Sequence, residues 1–152
     1  MPRIEASATA LIPAPAPIVY GIIADYEEGH VAILPPRVFQ NLTVMEGGTG
    51  AGTRIAFQVR SWGSVRDVRA RITEPEPGRR LVETLEDGTE TAFTVAPEAD
   101  GRSSRVTIAT SYQRAGLRGR LEGLLAPRFL RSVYAAELRT LAEVASARTS
   151  RA

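Results

Sequence analysis

The sequence predicts one domain of the α+β class, in which a curved antiparallel sheet of about seven strands packs on a long C-terminal helix. The chain has 152 residues, a usual size for a single domain. Between about residues 38 and 113, apolar residues recur with a period of two and tight turns separate the runs. After residue 116 the composition is helical. We place the domain at 1–147 and expect residues 148–152 to be frayed.

The first 36 residues predict one strand and two short helices. Residues 3–12 favour a strand that ends at the prolines beginning with Pro13. Apolar residues at helical spacing predict a helix over about 16–25, and Pro17 suits its first turn because the missing N–H would be unpaired there anyway. A second helix over 27–33 would end before Pro35.

Six further strands follow, each bounded by residues that favour turns. The intervening segments are Gly47–Gly52, Glu74–Gly78, Asp87–Gly88 and Ala99–Gly101. Such short connections indicate antiparallel neighbours. The predicted strands are 38–46, 53–61, 64–74, 79–86, 89–97 and 103–113.

Alternation along these strands assigns one buried face and one face in contact with water. Ile55, Phe57 and Val59 share a side, and arginines alternate with them. We therefore expect an arginine-rich outer face on the convex side, which includes Arg54, Arg60, Arg69 and Arg71.

The C-terminal segment carries two apolar stripes on nearly opposite sides of one helix. Leu117, Leu121 and Leu124 form the first. Pro127 separates it from the second, for which we expect burial; its members are Leu130, Val133, Tyr134, Leu138 and Leu141. Proline inside a helix removes a hydrogen bond and clashes with the preceding turn, so we expect a bend or a break within one turn of Pro127.

Composition excludes several classes of site. The chain has no cysteine, and all 19 basic residues are arginine, so thiolate chemistry and a Schiff-base lysine are impossible. A single histidine, His30, cannot build a multi-histidine metal site, and we expect neither metal nor cofactor. The net charge is only +2, which gives little support to nucleic-acid binding. No apolar leader or stretch of 18 apolar residues occurs, so we expect a cytoplasmic protein without integral membrane association.

The sequence favours neither a phosphate-binding loop nor the active-site motif of a serine hydrolase. The glycine-rich segment Gly47–Gly52 joins two strands, is not followed by Gly-Lys, and contains no Gly-x-Gly-x-x-Gly pattern, so a hairpin turn is the better interpretation than a phosphate loop. There is also no Gly-x-Ser-x-Gly pattern of a serine hydrolase.

Several polar residues share the parity of the buried strand face. Arg66, Glu83 and Tyr112 align with apolar neighbours, and a buried charge must be paired or lie in a wet cavity, unless the residue lies at a strand end, as Arg66 and Tyr112 could. His30 could act as an acid or base near neutral pH, or be an ordinary helix-end histidine. These four are the candidate catalytic residues: His30, Arg66, Glu83 and Tyr112.

The order strand, two helices, six strands, long helix resembles the helix-grip fold of the START, polyketide cyclase/dehydrase and pollen-allergen-like superfamily. The likeness covers about residues 4–145. It rests on four stretches: Ile12 to Tyr26, Gly47 to Thr53, Glu74 to Glu83, and Gly116 to Leu141. These stretches specify fold and not chemistry. The resemblance implies a cavity for lipids, sterols, polyketides, hormones or quinones, and cyclase or dehydratase activity in some members.

Three functional hypotheses follow. The first is a carrier or sensor that binds a small hydrophobic molecule in an interior cavity, as a monomer or homodimer. The second is an enzyme resembling a polyketide aromatase/cyclase or dehydratase, acting without metal in the same cavity. The third is an interaction module that has no small ligand and uses the arginine-rich face. The candidate lining residues, each of which could also be plain core, are Phe57, Phe93, Tyr112, Phe129 and Tyr134.

Overall fold

The computed structural model describes the backbone of residues 3–61, 63–113 and 116–151, and the side chains of these residues except 61 and 116–126. It contains seven strands and three helices within these ranges, in the predicted order. The strands are β1 (Arg3–Ile12), β2 (Phe39–Glu46), β3 (Arg54–Ser61), β4 (Ser64–Glu76), β5 (Arg80–Leu85), β6 (Glu90–Pro97) and β7 (Ser104–Gln113). The helices are α1 (Ala16–Ala24), α2 (Gly29–Ile33) and α3 (Gly116–Arg151).

The strands form one curved antiparallel sheet in the order β1-β7-β6-β5-β4-β3-β2. Strands β2 to β7 pair with their neighbours in sequence, and β1 pairs with β7. The chain leaves β1 through α1 and α2 and returns to the far edge at β2. The predicted fold class is therefore confirmed, and the strand limits differ from the expected ones by no more than two residues.

Helix α3 packs on the sheet, with its main contacts along β1, and also meets α1 and α2. Val133, Tyr134, Leu138 and Leu141 are buried as expected, and Leu130 is partly buried. They join side chains from α1 and the inner strand faces in one continuous core, which includes Ile22, Ile55, Ile72, Leu81, Phe93 and Ile108. The outer-face prediction also holds, because Arg54, Arg60, Arg69 and Arg71 are all exposed.

The helix does not break at Pro127. It is continuous from Gly116 to Arg151 with Pro127 inside it, so the expected break is wrong, and the alternative expectation of a bend stays a prediction. Proline costs one hydrogen bond and strains one turn, and the apolar burial downstream offsets that cost. The side chains of the first stripe, Leu117 to Leu124, lie outside the described residues.

Residues 148–151 belong to the same helix, and the fraying expected of this end stays a prediction. The Thr149 hydroxyl donates to the Ala145 carbonyl at 2.8 Å, and the Ser150 hydroxyl donates to the Ser146 carbonyl at 3.1 Å. Arginines in the last turn also favour the negative end of the helix dipole. These local contacts extend the helix beyond the apolar stripe.

Candidate functional site

The connection between α1 and α2 is a tight turn held by Asp25. The Asp25 carboxylate accepts hydrogen bonds from the backbone N–H groups of Glu27, Glu28 and Gly29, at 3.1, 3.3 and 3.2 Å. Burial alone would raise the pKa of Asp25, but these donors outweigh it and lower the pKa. A Cβ on Gly29 would lie 2.5 Å from the Ile22 carbonyl oxygen, so glycine lets α2 approach α1 closely.

The glycine-rich turn Gly47–Gly52 holds the same segment from the other side. The Gly48 carbonyl accepts from the N–H of Tyr26, and the Gly50 N–H donates to the Ala24 carbonyl, both at 2.9 Å. Glu74 of β4 fixes the turn, since its carboxylate accepts from the Ala51 N–H at 2.7 Å and from the Tyr20 hydroxyl at 2.6 Å. The turn thus has a structural role in positioning Tyr26.

Tyr26, His30 and Glu83 meet in the interior. The Tyr26 hydroxyl donates to Oε2 of Glu83 at 2.6 Å, and Nε2 of His30 lies 3.4 Å from the same oxygen. The Tyr26 and His30 rings stack with centroids 4.3 Å apart, and Phe93 of β6 meets His30 edge-on at 5.3 Å. His30 is 1% exposed and Glu83 is 9% exposed, so this polar group is buried.

The backbone fixes which nitrogen of His30 carries a proton. Nδ1 lies 2.7 Å from the Ile23 carbonyl oxygen, which can only accept, so Nδ1 is the donor. A neutral ring then presents a lone pair on Nε2 to the carboxyl oxygen of Glu83. That contact is attractive only when a proton lies between the two atoms, on one or the other. The contact therefore places an imidazole and a carboxyl group side by side in the interior.

A second carboxyl group, Glu137 of α3, is buried in the same region. It is 2% exposed, and its Oε1 atom has no hydrogen-bond partner among the described residues. Burial raises the pKa of Glu137 well above its usual value, and the nearby charge of Glu83 adds to the rise. We call Tyr26, His30, Glu83 and Glu137 the acid cluster.

Hydroxyl groups continue this polar region toward β6 and β7. Thr91 and Thr110 share a hydrogen bond at 2.7 Å, and Thr110 also bonds the Tyr134 hydroxyl. Burial raises the pKa of Tyr134, and the threonine hydrogen bonds oppose that rise only in part, so the phenol stays neutral. The arrangement can hold a polar group of a ligand, orient it and exchange a proton with it.

Two of the four candidate catalytic residues come together, His30 and Glu83. Arg66 is exposed, because it lies near the tip of the β3–β4 hairpin, away from the cluster. Tyr112 is buried on β7. Of the candidate lining residues, Phe93 and Tyr134 are buried beside the cluster, whereas Phe57 and Phe129 are partly buried and pack against the core. Phe57 also meets Phe39 edge-on at 6.0 Å.

Sequence reasoning did not select Tyr26 and Glu137 as site residues. The spacing offered a signal for each. Tyr26 lies four residues before His30, and Glu137 lies three residues after Tyr134 and four before Leu141, within the buried helical stripe. A carboxylate among buried stripe residues is the kind of exception that marks a site.

No group of three or more histidine or acidic side chains within the described ranges is arranged to hold a metal ion. Of the three helices described, none carries an apolar stretch long enough to span a membrane.

A family model described as polyketide cyclase/dehydrase and lipid transport matches residues 3–146. The chain belongs to this family. Curated protein sequences gave no match. Among solved structures, the KanY protein is 29% identical, with a TM-score of 0.82 over 96% of this chain and 99% of that one. The expected superfamily is thus confirmed.

Two further neighbours share the fold at lower identity. The Zhui aromatase/cyclase from a Streptomyces species is 20% identical, with a TM-score of 0.72 over 97% of this chain and 96% of that one. A START superfamily protein from Mycobacterium smegmatis is 14% identical, with a TM-score of 0.72 over 94% of this chain and 97% of that one. At these identities the likeness shows the fold alone.

Proposed function

We propose that this member of the family binds a small, mostly apolar molecule between α3 and the concave face of the sheet, as a carrier or sensor. The polar end of the ligand would meet the acid cluster. The observation that carries the proposal is the buried Oε1 atom of Glu137, which has no hydrogen-bond partner among the described residues. A buried acceptor without a partner costs about 1–3 kcal/mol, and a donor on a ligand would remove that cost.

The family supports the same function. Its description includes lipid transport as well as cyclase and dehydrase activity, so an apolar ligand is common to its stated roles. The side chains around the cluster are also suitable, because Phe93, Tyr134 and Leu138 give an apolar wall next to the polar groups. Ligand sites commonly combine mainly apolar walls with a few placed polar groups.

A fluorescent apolar probe tests the proposal. N-phenyl-1-naphthylamine should gain fluorescence with the native protein, and Ala70→Phe should weaken binding because Ala70 is buried on the inner face of β4. Ala56→Phe is the matched control, since Ala56 lies on the opposite face of β3, paired with the exposed Arg69. Equal effects of the two substitutions, or no binding to the folded wild type, would contradict the proposal.

The second candidate function is an enzyme of the cyclase or dehydratase kind. The contact between His30 and Glu83 favours it, because an imidazole beside a carboxyl group is a common arrangement for acid and base catalysis on a bound carbonyl compound. Conversion of a linear poly-β-ketone by the wild type, abolished in His30→Gln and retained in Arg66→Ala, would support catalysis. Binding without conversion would leave the carrier or sensor.

A further inference from the structure

We infer that the polar group of the ligand is a protonated amine, held between the carboxyl groups of Glu137 and Glu83. This inference rests on the proposed function and names the chemical class of ligand that the same site would take. Three features of the interior favour an amine: the balance of charged groups, the carboxyl oxygens left available, and the aromatic rings around them.

The described interior has more acidic groups than cationic ones. Glu83 and Glu137 are buried, and close enough for the charge of one to act on the other. Among the side chains that the structure describes, the basic residue in contact with this pair is His30, which meets Glu83. None of the arginines whose side chains the structure describes is buried. A ligand that brings a positive charge would therefore complete the balance.

The available oxygen atoms favour a donor with more than one N–H. Both contacts of Glu83, from Tyr26 and His30, are made by Oε2, and Oε1 takes part in neither. Oε1 of Glu137 has no partner among the described residues. An ammonium group carries up to three N–H donors and can reach acceptors on two elements, β5 and α3, at once. A ketone has no donor to offer either oxygen.

The surrounding rings suit an organic cation. Tyr26, Phe93 and Tyr134 are buried around the cluster, and aromatic faces attract an ammonium group once water is removed. Leu138 and Leu141 extend the apolar surface along α3. The ligand class is therefore an amine with an apolar, ring-sized body, rather than a small polar amine.

The proposal predicts that binding releases a proton. The titratable groups that act on Glu137 are Glu83 from β5, Tyr26 from the α1–α2 segment and Tyr134 from its own helix, and His30 contacts Glu83. Burial, and then the charge of Glu83, raise the pKa of Glu137 and so favour its protonated form in the empty protein. An ammonium group beside it favours the ionised carboxylate instead, so binding of an already charged amine should release protons from Glu137 to the buffer.

Three naphthalene compounds of similar size test the inference by calorimetry at pH 7. They are the amine 2-(aminomethyl)naphthalene, the ketone 2-acetylnaphthalene and the carboxylate of 2-naphthaleneacetic acid. We expect the amine to bind roughly ten- to hundredfold more tightly than the ketone, as expected for a charge-assisted hydrogen bond, and the carboxylate to bind most weakly. Measurements in buffers with different heats of ionisation should show net proton release with the amine and none with the ketone.

Two variants locate the effect. Glu137→Gln should lose most of the preference for the amine and all of the proton release, while retaining ketone binding. Glu143→Gln is the matched control, because Glu143 is exposed on the same helix. Ketone or carboxylate binding as tight as amine binding, or an unchanged preference in Glu137→Gln, would overturn the inference and leave the proposed function standing. Failure of all three compounds to bind would instead overturn the proposed function.

Discussion

Tyr26 stacks face to face on His30, with ring centroids 4.3 Å apart, and both side chains reach the same carboxyl oxygen of Glu83. The two residues are four positions apart in a segment that Asp25 holds through its hydrogen bonds to backbone N–H groups, and this short spacing lets the two rings stack. Glu83 then connects this local unit to β5. The buried polar contacts therefore fix how the α1–α2 segment sits on the sheet.

Tyr26→Phe should lower the free energy of unfolding by about 1–3 kcal/mol, because Glu83 loses a buried donor while the ring stack remains. Urea denaturation measures the loss. In a double-mutant cycle with Glu83→Gln, the two substitutions should be non-additive, as expected for residues in contact. Additive effects would show that the hydrogen bond contributes nothing to stability.

Gly29→Ala should destabilise the protein by about 1–3 kcal/mol, because the new Cβ would lie 2.5 Å from the Ile22 carbonyl oxygen and push α2 away from α1. Gly21→Ala is the control. It lies in α1 with nothing within 4 Å of the new Cβ, and alanine should stabilise the helix by about 0.5–1 kcal/mol. Equal effects at the two positions would contradict the close approach of the helices.

Glu137 should make stability fall as pH rises. Its ordinary pKa is about 4.5, and burial and then the charge of Glu83 raise the folded pKa above that. The protonated form is the one the fold favours, so its contribution is complete below about pH 4.5 and is lost as the pH climbs toward the folded pKa. The loss has a slope of about 1.4 kcal/mol per pH unit.

Glu137→Gln removes this loss. Its stability relative to the wild type should increase by at least about 1 kcal/mol between pH 5 and pH 7 in urea denaturation. Glu143→Gln should follow the wild-type pH dependence, because its side chain is exposed. A difference between Glu137→Gln and wild type that is the same at both pH values would show that Glu137 has no raised pKa.

Arg69 and Leu138 test the assignment of faces. Arg69 is exposed, with a 3.9 Å contact to the equally exposed Glu86, so Arg69→Ala should change stability by no more than about 0.5 kcal/mol. Leu138→Ala removes a side chain that is 3% exposed, at a cost of about 2–5 kcal/mol. The reverse order of the two losses in denaturation would mean that the faces are inverted.

The sequence predicted the sheet well because the turns and the faces of the strands are determined by residues close together in the chain. Glycine, proline and aspartate mark the turns, and the period of two places Glu83 on the buried face in the middle of β5. The same parity misplaced Arg66. Alternation tells which side a residue takes, but not how far α3 covers the β3–β4 hairpin, and Arg66 lies near its exposed tip.

The sequence selected two members of the acid cluster, His30 and Glu83, but not their contact. The two residues are distant in sequence, and the contact depends on how α2 meets β5. Selecting Glu137 as a site residue depends on knowing that α3 turns its carboxyl group toward Glu83 rather than toward solvent. The helix through Pro127 is similar, since a local cost was outweighed by burial that only the folded core supplies.

Backbone NMR during titration with 2-(aminomethyl)naphthalene tests most directly the claim that the interior beneath α3 is the binding site. The largest shifts should fall on amides of Glu83, Phe93 and Glu137 and their inner-face neighbours, with little change at Arg54 and Arg69 on the outer face. A saturable titration that moves the outer-face arginines, and leaves the acid cluster unshifted, would contradict the account.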